Sequence, residues 1–479
     1  LLYGITIYWY RRKQEESIVM LQILYASETG NAEEVAYNIY SKLKSRLRCS
    51  VSNISQYNVQ DMPNEKYLVF VASTTGVGDP PSSMKKFWNF MLRKSLGGDS
   101  LSNLQFGVFG LGDSSYEQFN AVARRLHARL LQLGATPFVE LGHGDDQAQY
   151  GFFTALNSWM EHLIQTIHRF PETIESSSAA VNVCLPDYSI EIISNSLDTD
   201  NCAPFPIVMN NDSDSIVYSA SVKGNERLTD ARWEQNVRHV TLTVNSERVV
   251  TSELTSISSA TDKNITSQPL DTGVALYEAG DVAELYYRNS PETVSLALSI
   301  LCDRNEGEAE ESKLHPCTIL NITNIGKTRG SWRSSRIDTL SHCSLFVLLE
   351  QYLDIGGIPM RSYFETLSRY ADNPLEAEKL LELASAEGTD LYFDYCLRER
   401  RSYFEVLAEF KSCRPPVSVL CSAIPAIPPR QYSIASSPLL EPRQIELCVA
   451  VAERRTPYNR KRVGLCSGFI SQLTVGETV

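Results

Sequence analysis

The chain has 479 residues, 43% hydrophobic and 21% charged, with a formal net charge of −13. That length predicts about two to four domains with sizeable cores. The acidic balance argues against a general nucleic-acid or membrane-surface binder and suits docking on basic patches. Eleven Cys lack a Cys-x-x-Cys pair and seven His lack ligand spacing, so reduced cytosolic thiols are expected and no metal site.

In chain order, Leu1–Tyr10 is apolar and precedes Arg11-Arg12-Lys13. It is half the length of about 20 residues that a bilayer requires. Residues 1–19 are read as an extension ahead of Met20, with the tail of a membrane anchor as the alternative. From Leu21 to Phe170, apolar strands alternate with amphipathic helices. Strands are predicted at Leu21–Ala26, Val51–Ile54, Tyr67–Ala72, Gln105–Gly110 and Pro137–Leu141. Helices are predicted at Ala32–Arg46, Ser83–Arg93, Asn120–Leu133 and Phe152–His168. This alternation predicts an α/β doubly wound parallel sheet over 20–170. Residues 171–217, rich in Ser, Asn and Asp, read as a linker. Residues 218–301 read as the first part of a β-barrel, interrupted by a Ser/Thr-rich loop at 251–267. Residues 302–412 read as a helical insert, with the stretch from Asn321 to Ile337 as a loop. Residues 413–479 read as the second part of the barrel.

Ligands of doubly wound sheets sit beyond the carboxyl ends of the strands. Four loops fall there. In the first, Ser27-Glu28-Thr29-Gly30-Asn31-Ala32, a hydroxyl- and glycine-rich turn opens a helix whose first N–H groups lack intrahelical partners, a setting for a phosphate. No Lys follows the glycine, which excludes the nucleoside-triphosphate loop. A plain capped turn remains the alternative for this loop alone. The second is Ser73-Thr74-Thr75-Gly76-Val77-Gly78-Asp79-Pro80. The third is Leu111-Gly112-Asp113-Ser114-Ser115-Tyr116-Glu117-Gln118-Phe119-Asn120. The fourth is Gly142-His143-Gly144-Asp145-Asp146. A phosphate turn beside two glycine-bearing loops with a Tyr suits a flat, phosphorylated aromatic ligand, with Tyr116 able to stack on its face.

These motifs resemble the FMN-binding flavodoxin domain of diflavin reductases. The resemblance implies that Ser27–Ala32 hold the FMN phosphate, that Ser73–Gly76 and Leu111–Asn120 hold the ring, and that Asp146 closes the site. P450 reductases usually carry a Tyr where Thr75 stands. The Thr-Thr-Gly form is similar to the cytosolic, NADPH-dependent branch that serves iron–sulfur assembly, or to methionine synthase reductase. Downstream, Arg430-Gln431-Tyr432-Ser433 is similar to the family's FAD signature. There an Arg fork pairs with the diphosphate, a Tyr stacks on the ring, and Ser433 acts at the flavin edge as the catalytic candidate. Gly464-Leu465-Cys466-Ser467 resembles a second diphosphate loop, and Arg400 in Arg-Glu-Arg-Arg a further FAD contact. Tyr352–Ile355 and Glu382–Ser385 resemble the family's helical connecting region, and Tyr277–Asp281 its Gly-Asp turn.

The family continues into a nicotinamide-nucleotide domain that follows such a loop. This sequence ends at Val479 and has no Gly-x-Gly-x-x-Gly. The resemblance implies a cytoplasmic electron-transfer enzyme in which FAD takes a hydride from NADPH and FMN reduces an anamorsin-type iron–sulfur protein. No nucleic-acid partner, membrane or metal is expected. A P450 reductase or methionine synthase reductase role is one alternative. A truncated, non-catalytic flavin-binding partner module is another.

Overall fold

Strand β1 (Leu21–Ala26) is buried along its whole length except for Gln22. A strand apolar on both faces belongs in the middle of a parallel sheet covered by helices, and that is its place in the computed structural model. The structure describes residues 21–28, 30–43, 46–170, 188–194, 218–248, 276–302, 314–324, 336–337, 340 and 342–479. The extension 1–19, Thr29 of the phosphate turn, the loop 251–267 and most of the linker lie outside them.

After β1 come α1 (Asn31–Leu43), β2 (Cys49–Asn53), β3 (Tyr67–Ser73), α2 (Lys85–Met91), β4 (Gln105–Gly112) and α3 (Ala121–Gln132). β5 (Thr136–Pro137), β6 (Gly142–Asp145), β7 (Gln149–Phe152) and α4 (Phe153–Ile167) complete the unit. The sheet order is β2-β1-β3-β4-β5, with β6 also on β4, and every pairing is parallel. This is the expected doubly wound sheet. Helix α1 shows why the helices lie where they do. Val35, Ala36, Ile39 and Leu43 form its buried stripe, and Glu33 and Glu34 sit at its N-terminus, where the dipole favours acids.

One predicted strand is corrected. Pro137–Leu141 is not a strand; Pro137 ends a two-residue pairing with Gln105–Phe106, and pairing resumes only at Gly142. Pro supplies no N–H to a ladder. The later strand depends on its glycines: a Cβ at Gly142 would fall 2.3 Å from Phe109 Cδ2, and one at Gly144 2.9 Å from Leu111 Cδ2.

Beyond α4 the elements are β8 (Tyr188–Ser194), β9 (Tyr218–Arg227), β10 (Val237–Arg248), β11 (Val282–Leu285), α5 (Pro291–Cys302), β12 (Ile319–Asn324) and β13 (His342–Ser344). Then come α6 (Leu345–Val347), α7 (Arg361–Ser368), α8 (Pro374–Ala384), α9 (Thr389–Tyr392), α10 (Tyr403–Glu409) and α11 (Val417–Ala423). The last are β14 (Arg430–Ser433), β15 (Gln444–Ala450), β16 (Glu453–Arg455), β17 (Lys461–Val463) and α12 (Leu465–Gln472). Strands β15-β10-β9 form one antiparallel sheet and β11-β14 another, bridged by Ile434 and Leu447. The described strands make antiparallel sheets; they do not by themselves close into the expected barrel.

Three further corrections follow. The expected linker contains β8, which pairs with β12 in the segment expected to be a loop. Leu320 and Ile322 point into the core from β12 while Asn321 and Thr323 point out, a pattern too short and polar to stand out. Helix α5 occupies the end of the region read as β. Among the described residues eight cysteines are free thiols, but Cys317 is disulfide-bonded; pairing can be made by the fold without any sequence spacing.

Within the expected insert, 302–412, β12 and β13 precede the helices, and the helices run on through α11. Buried Tyr352, Tyr363, Phe364, Tyr392, Tyr403 and Phe404 fill it, and its core is continuous with one face of the parallel sheet. Wide helical turns at Leu348–Tyr352 and Phe393–Arg398 interrupt its helices. Among the described residues no helix is long and apolar enough to cross a membrane.

Candidate functional sites

The first site lies at the carboxyl edge of the parallel sheet. The connection leaving β1 runs to β2 on one side and the one leaving β3 runs to β4 on the other, which parts the loops and opens a crevice. Ser27 Oγ accepts the Gly30 N–H at 2.9 Å, and Gly30 holds φ +99°, which turns the chain into α1. The first helical bond is Glu34 N–H to Gly30 O, 3.0 Å. The amides of Asn31 and Ala32 therefore stand in the first turn, the end of a helix that favours an anion. Glu33 is fully buried and accepts the Tyr25 hydroxyl at 3.0 Å. Glu28 turns aside, its carboxylate taking the Ser82 N–H at 2.9 Å. It links the first loop to the second and does not face the phosphate turn.

The second loop is internally braced. Ser73 Oγ donates to Ala26 O across to β1 (3.2 Å), and Thr74 N–H to Leu111 O (2.9 Å). Thr75 gives both its N–H (3.0 Å) and its hydroxyl (2.9 Å) to Asp79 O, so its side chain shapes the loop. Gly76, at φ +50°, has open space where a Cβ would stand.

In the third loop Asn120 is buried in the left-handed region, φ 51°, and donates to Gly144 O at 3.0 Å. A Cβ at Gly112 would fall 2.9 Å from Asn120 N. Asn120 Oδ1 is buried and has no hydrogen-bond partner among the described residues. Leu111 is buried in β4, Phe119 is half-buried beside the His143 ring, and Glu117 and Gln118 are exposed. Tyr116 is 64% exposed.

Carboxylates frame this edge. Asp113 accepts the Ser115 N–H (2.8 Å) and hydroxyl (2.6 Å) and the Gln147 amide (2.9 Å). The Ser115 bonds hold its carboxyl below the usual range. Burial pushes Asp145 up, but hydrogen bonds from Ser114 and Gln147 outweigh it and leave a net lowering. Asp146 gives its N–H to Gly112 O at 2.9 Å; burial, then Asp113 and Asp145, push its carboxyl up. First-turn amides at a helix N-terminus, an orphaned buried acceptor and an exposed aromatic beside glycine backbone fit a phosphorylated flat ring.

The second site gathers distant segments. β14 pairs with β11, Arg430 opposite Leu285 and Ser433 opposite Val282. Arg430, Gln431 and Ser433 are exposed and Tyr432 is half-buried. Gln431 donates to Glu284 Oε1 at 2.8 Å. The Tyr432 hydroxyl meets the Cys466 thiol at the start of α12, and burial first, then that contact, raises the Tyr432 pKa. The two FAD segments predicted from sequence are thus neighbours. Gly464 N–H is used by Ala452 O (2.7 Å), which leaves the amides of Leu465, Cys466 and Ser467 as first-turn donors. Ser467 Oγ accepts the Ala452 N–H at 3.1 Å. Arg400 stands in the left-handed region, φ 46°; burial lowers its pKa, and so does repulsion from Arg454 and Arg462. Arg462 is neutralised by Glu405 at 2.8 Å. Cations beside helix amides suit a diphosphate.

A contact between the two halves had no sequence signal. Arg361, 5% exposed, lies 4.6 Å from the Phe153 ring centroid and 5.2 Å from that of Tyr392. It donates to Thr389 Oγ1 (2.6 Å) and Asn157 Oδ1 (3.3 Å), and so joins α4 to the insert.

Residues 23–159 match the Flavodoxin family and residues 249–469 match the FAD binding domain family. The chain is 35% identical over 457 residues to NADPH-dependent diflavin oxidoreductase 1 of Danio rerio, covering 94% of this chain and 70% of that protein. The chain belongs to this family. The protein of the same name in Mus musculus is 33% identical over 472 residues, covering 96% of this chain and 71% of the relative. That in Dictyostelium discoideum is 33% identical over 461 residues, covering 94% and 65%. This diflavin oxidoreductase is accordingly an oxidoreductase with an FMN and an FAD domain, built for flavin-mediated electron transfer. The FAD-domain match runs through the helical insert as well as the strands on either side of it.

Proposed function

We propose that this chain relays electrons from NADPH, through FAD and then FMN, to an anamorsin-type iron–sulfur protein of cytosolic iron–sulfur assembly, and that it works in the cytoplasm. The observation that carries the acceptor reading is that Asp79, Asp113, Glu117, Asp145 and Asp146 all stand in loops at the carboxyl edge that also bears the exposed Tyr116. Such a rim draws a basic protein face toward the FMN edge and speeds encounter at low salt.

This reading gives each loop its role. Ser27, Thr29 and the amides of Asn31 and Ala32 hold the FMN phosphate. Ser73 to Gly76 and Leu111 to Asn120 line the ring, Tyr116 covers one face, and Asp146 closes the edge. Arg430, Arg400 and the amides of Leu465 to Ser467 grip the FAD diphosphate. Tyr432 stacks on its ring, and Ser433 places a hydroxyl at the reacting edge. When bound, the flavins supply the conversion between two-electron and one-electron chemistry. The protein groups position them and exclude water.

The test is reversal of Asp79, Glu117 and Asp146 to Lys together, since these side chains brace the loops less than Asp113 and Asp145. Reduction of the acceptor by the FMN-loaded protein should slow by about tenfold or more at low salt and lose its salt dependence. Equal rates and an unchanged salt response would sink the acceptor reading.

A further inference from the structure

Arg430 is central to the FAD site, yet its side chain makes no hydrogen bond or ion pair among the described residues. Its charge nevertheless acts on four groups around it: Tyr432, Cys466, Tyr287 and Asp354. Two of these, Tyr432 and Cys466, belong to the flavin segments already described. The other two have no assigned role.

Asp354 follows the wide turn Leu348–Tyr352 of the insert. Its segment is stitched to the chain entering β14, with Asp354 N–H donating to Pro425 O (2.8 Å) and Ile427 N–H to Tyr352 O (2.7 Å). Asp354 Oδ1 accepts the Tyr287 hydroxyl at 3.0 Å. Tyr287, 1% exposed, lies two residues beyond Leu285, the residue opposite Arg430 in the β11–β14 pair. Three segments far apart in sequence therefore converge: the end of β11, the turn of the insert and the start of β14. The carboxylate is held by the Tyr287 hydroxyl and the Gly357 backbone N–H, and the missing side chain of Gly357 leaves room for it. Asn289 fixes the same turn from below, donating to Leu349 O (2.8 Å) and Leu353 O (2.7 Å).

We propose that Asp354, held in place by Tyr287, is the positioning carboxylate for Arg430 and aims its guanidinium at the FAD diphosphate. A guanidinium carries five donors in a planar fork, so it can face a carboxylate on one side and a phosphate on the other. An exposed Arg must give up much rotamer freedom to grip a ligand. A fixed negative charge behind it narrows its orientations before the ligand arrives, which strengthens binding without a new ligand contact. Asp354 does not touch the flavin in this scheme; it acts through Arg430.

The inference rests on Arg430 gripping FAD, and the test separates the two. FAD affinity is measured by fluorescence quenching on the FAD-stripped, FMN-loaded full chain for wild type, Arg430→Met, Asp354→Asn, Tyr287→Phe and the Arg430→Met/Asp354→Asn pair. Asp354→Asn should weaken FAD binding about tenfold and Tyr287→Phe about threefold, while the double variant should bind no more weakly than Arg430→Met alone. An Asp354→Asn affinity within about twofold of wild type, or a loss that multiplies fully with Arg430→Met, would overturn the positioning role. If Arg430→Met itself binds FAD normally, the diphosphate reading of Arg430 fails and the inference fails with it. Should Asp354→Asn not fold, Tyr287→Phe and its pair with Arg430→Met decide the matter by the same criteria.

Discussion

The FMN cradle and the FAD site differ in how they are assembled. The cradle is made of four loops on one edge of one sheet, and its braces are short-range or run between adjacent loops: Ser27 to Gly30, Thr75 to Asp79, Asp113 to Ser115. The FAD site is drawn from β11, the insert, β14, the β16–β17 hairpin and the start of α12. Its governing relations link Tyr287 to Asp354 and Tyr432 to Cys466. A site of local loops is protected by the rigidity of its strands, whereas a site of convergent segments depends on the docking of the units that carry them. Damage should therefore stay confined in the first and spread in the second.

The sharpest way to break the FMN side is Gly112→Val. Its Cβ would drive into Asn120 N, 2.9 Å away, and displace the third loop. FMN affinity should fall by about a hundredfold, in keeping with the cost of overpacking, while FAD content holds, as read by flavin release and separation. Next in size is Arg361→Ala at the contact between the halves. Losing the Thr389 and Asn157 bonds and the ring contacts should cost about 3 kcal/mol. Hydrogen exchange should rise in 150–157 and 389–393, and little elsewhere.

A pH series sharpens the FAD side. Burial raises the Asp354 carboxyl from 3.8 to about 6, against opposing terms from Tyr287, Arg430 and Gly357. The folded pKa lies above the unfolded one, so the folded state holds the proton more tightly. The contribution of Asp354 to stability is present below pH 3.8 and is lost as pH rises through about 6. Relative to Asp354→Asn, the wild type should lose about 3 kcal/mol across that window and then level off, measurable by denaturant melts at each pH. The smallest expected effect is Ser27→Ala, which removes one turn-bracing acceptor. It should weaken FMN binding by about 1 kcal/mol and leave FAD untouched.

The same contrast explains what could be read from the sequence. β1 ends at Ala26 as predicted, because an apolar run meeting Ser27 and Gly30 is a local signal. β6 was missed because Gly142 and Gly144 look like loop residues, although they are the only residue type that can pack so closely on Phe109 and Leu111. β8 has no local signal because its partner β12 lies more than a hundred residues on, and β12 has little because it is held between β8 and the three-residue β13. Arg430–Ser433 and Gly464–Ser467 were legible as separate motifs. Their adjacency through Tyr432 and Cys466 was not, nor was any role for Asp354 or Arg361, since burial among distant segments leaves no spacing to read.

The central claim is that one chain carries two flavin sites with separate anchors. Flavin analysis of the purified full chain and of Gly112→Val and Arg430→Met tests it most directly. The account predicts equimolar FMN and FAD in the wild type, loss of FMN alone in Gly112→Val and loss of FAD alone in Arg430→Met. A wild type holding only one flavin, or a variant that loses the flavin assigned to the other site, would contradict it.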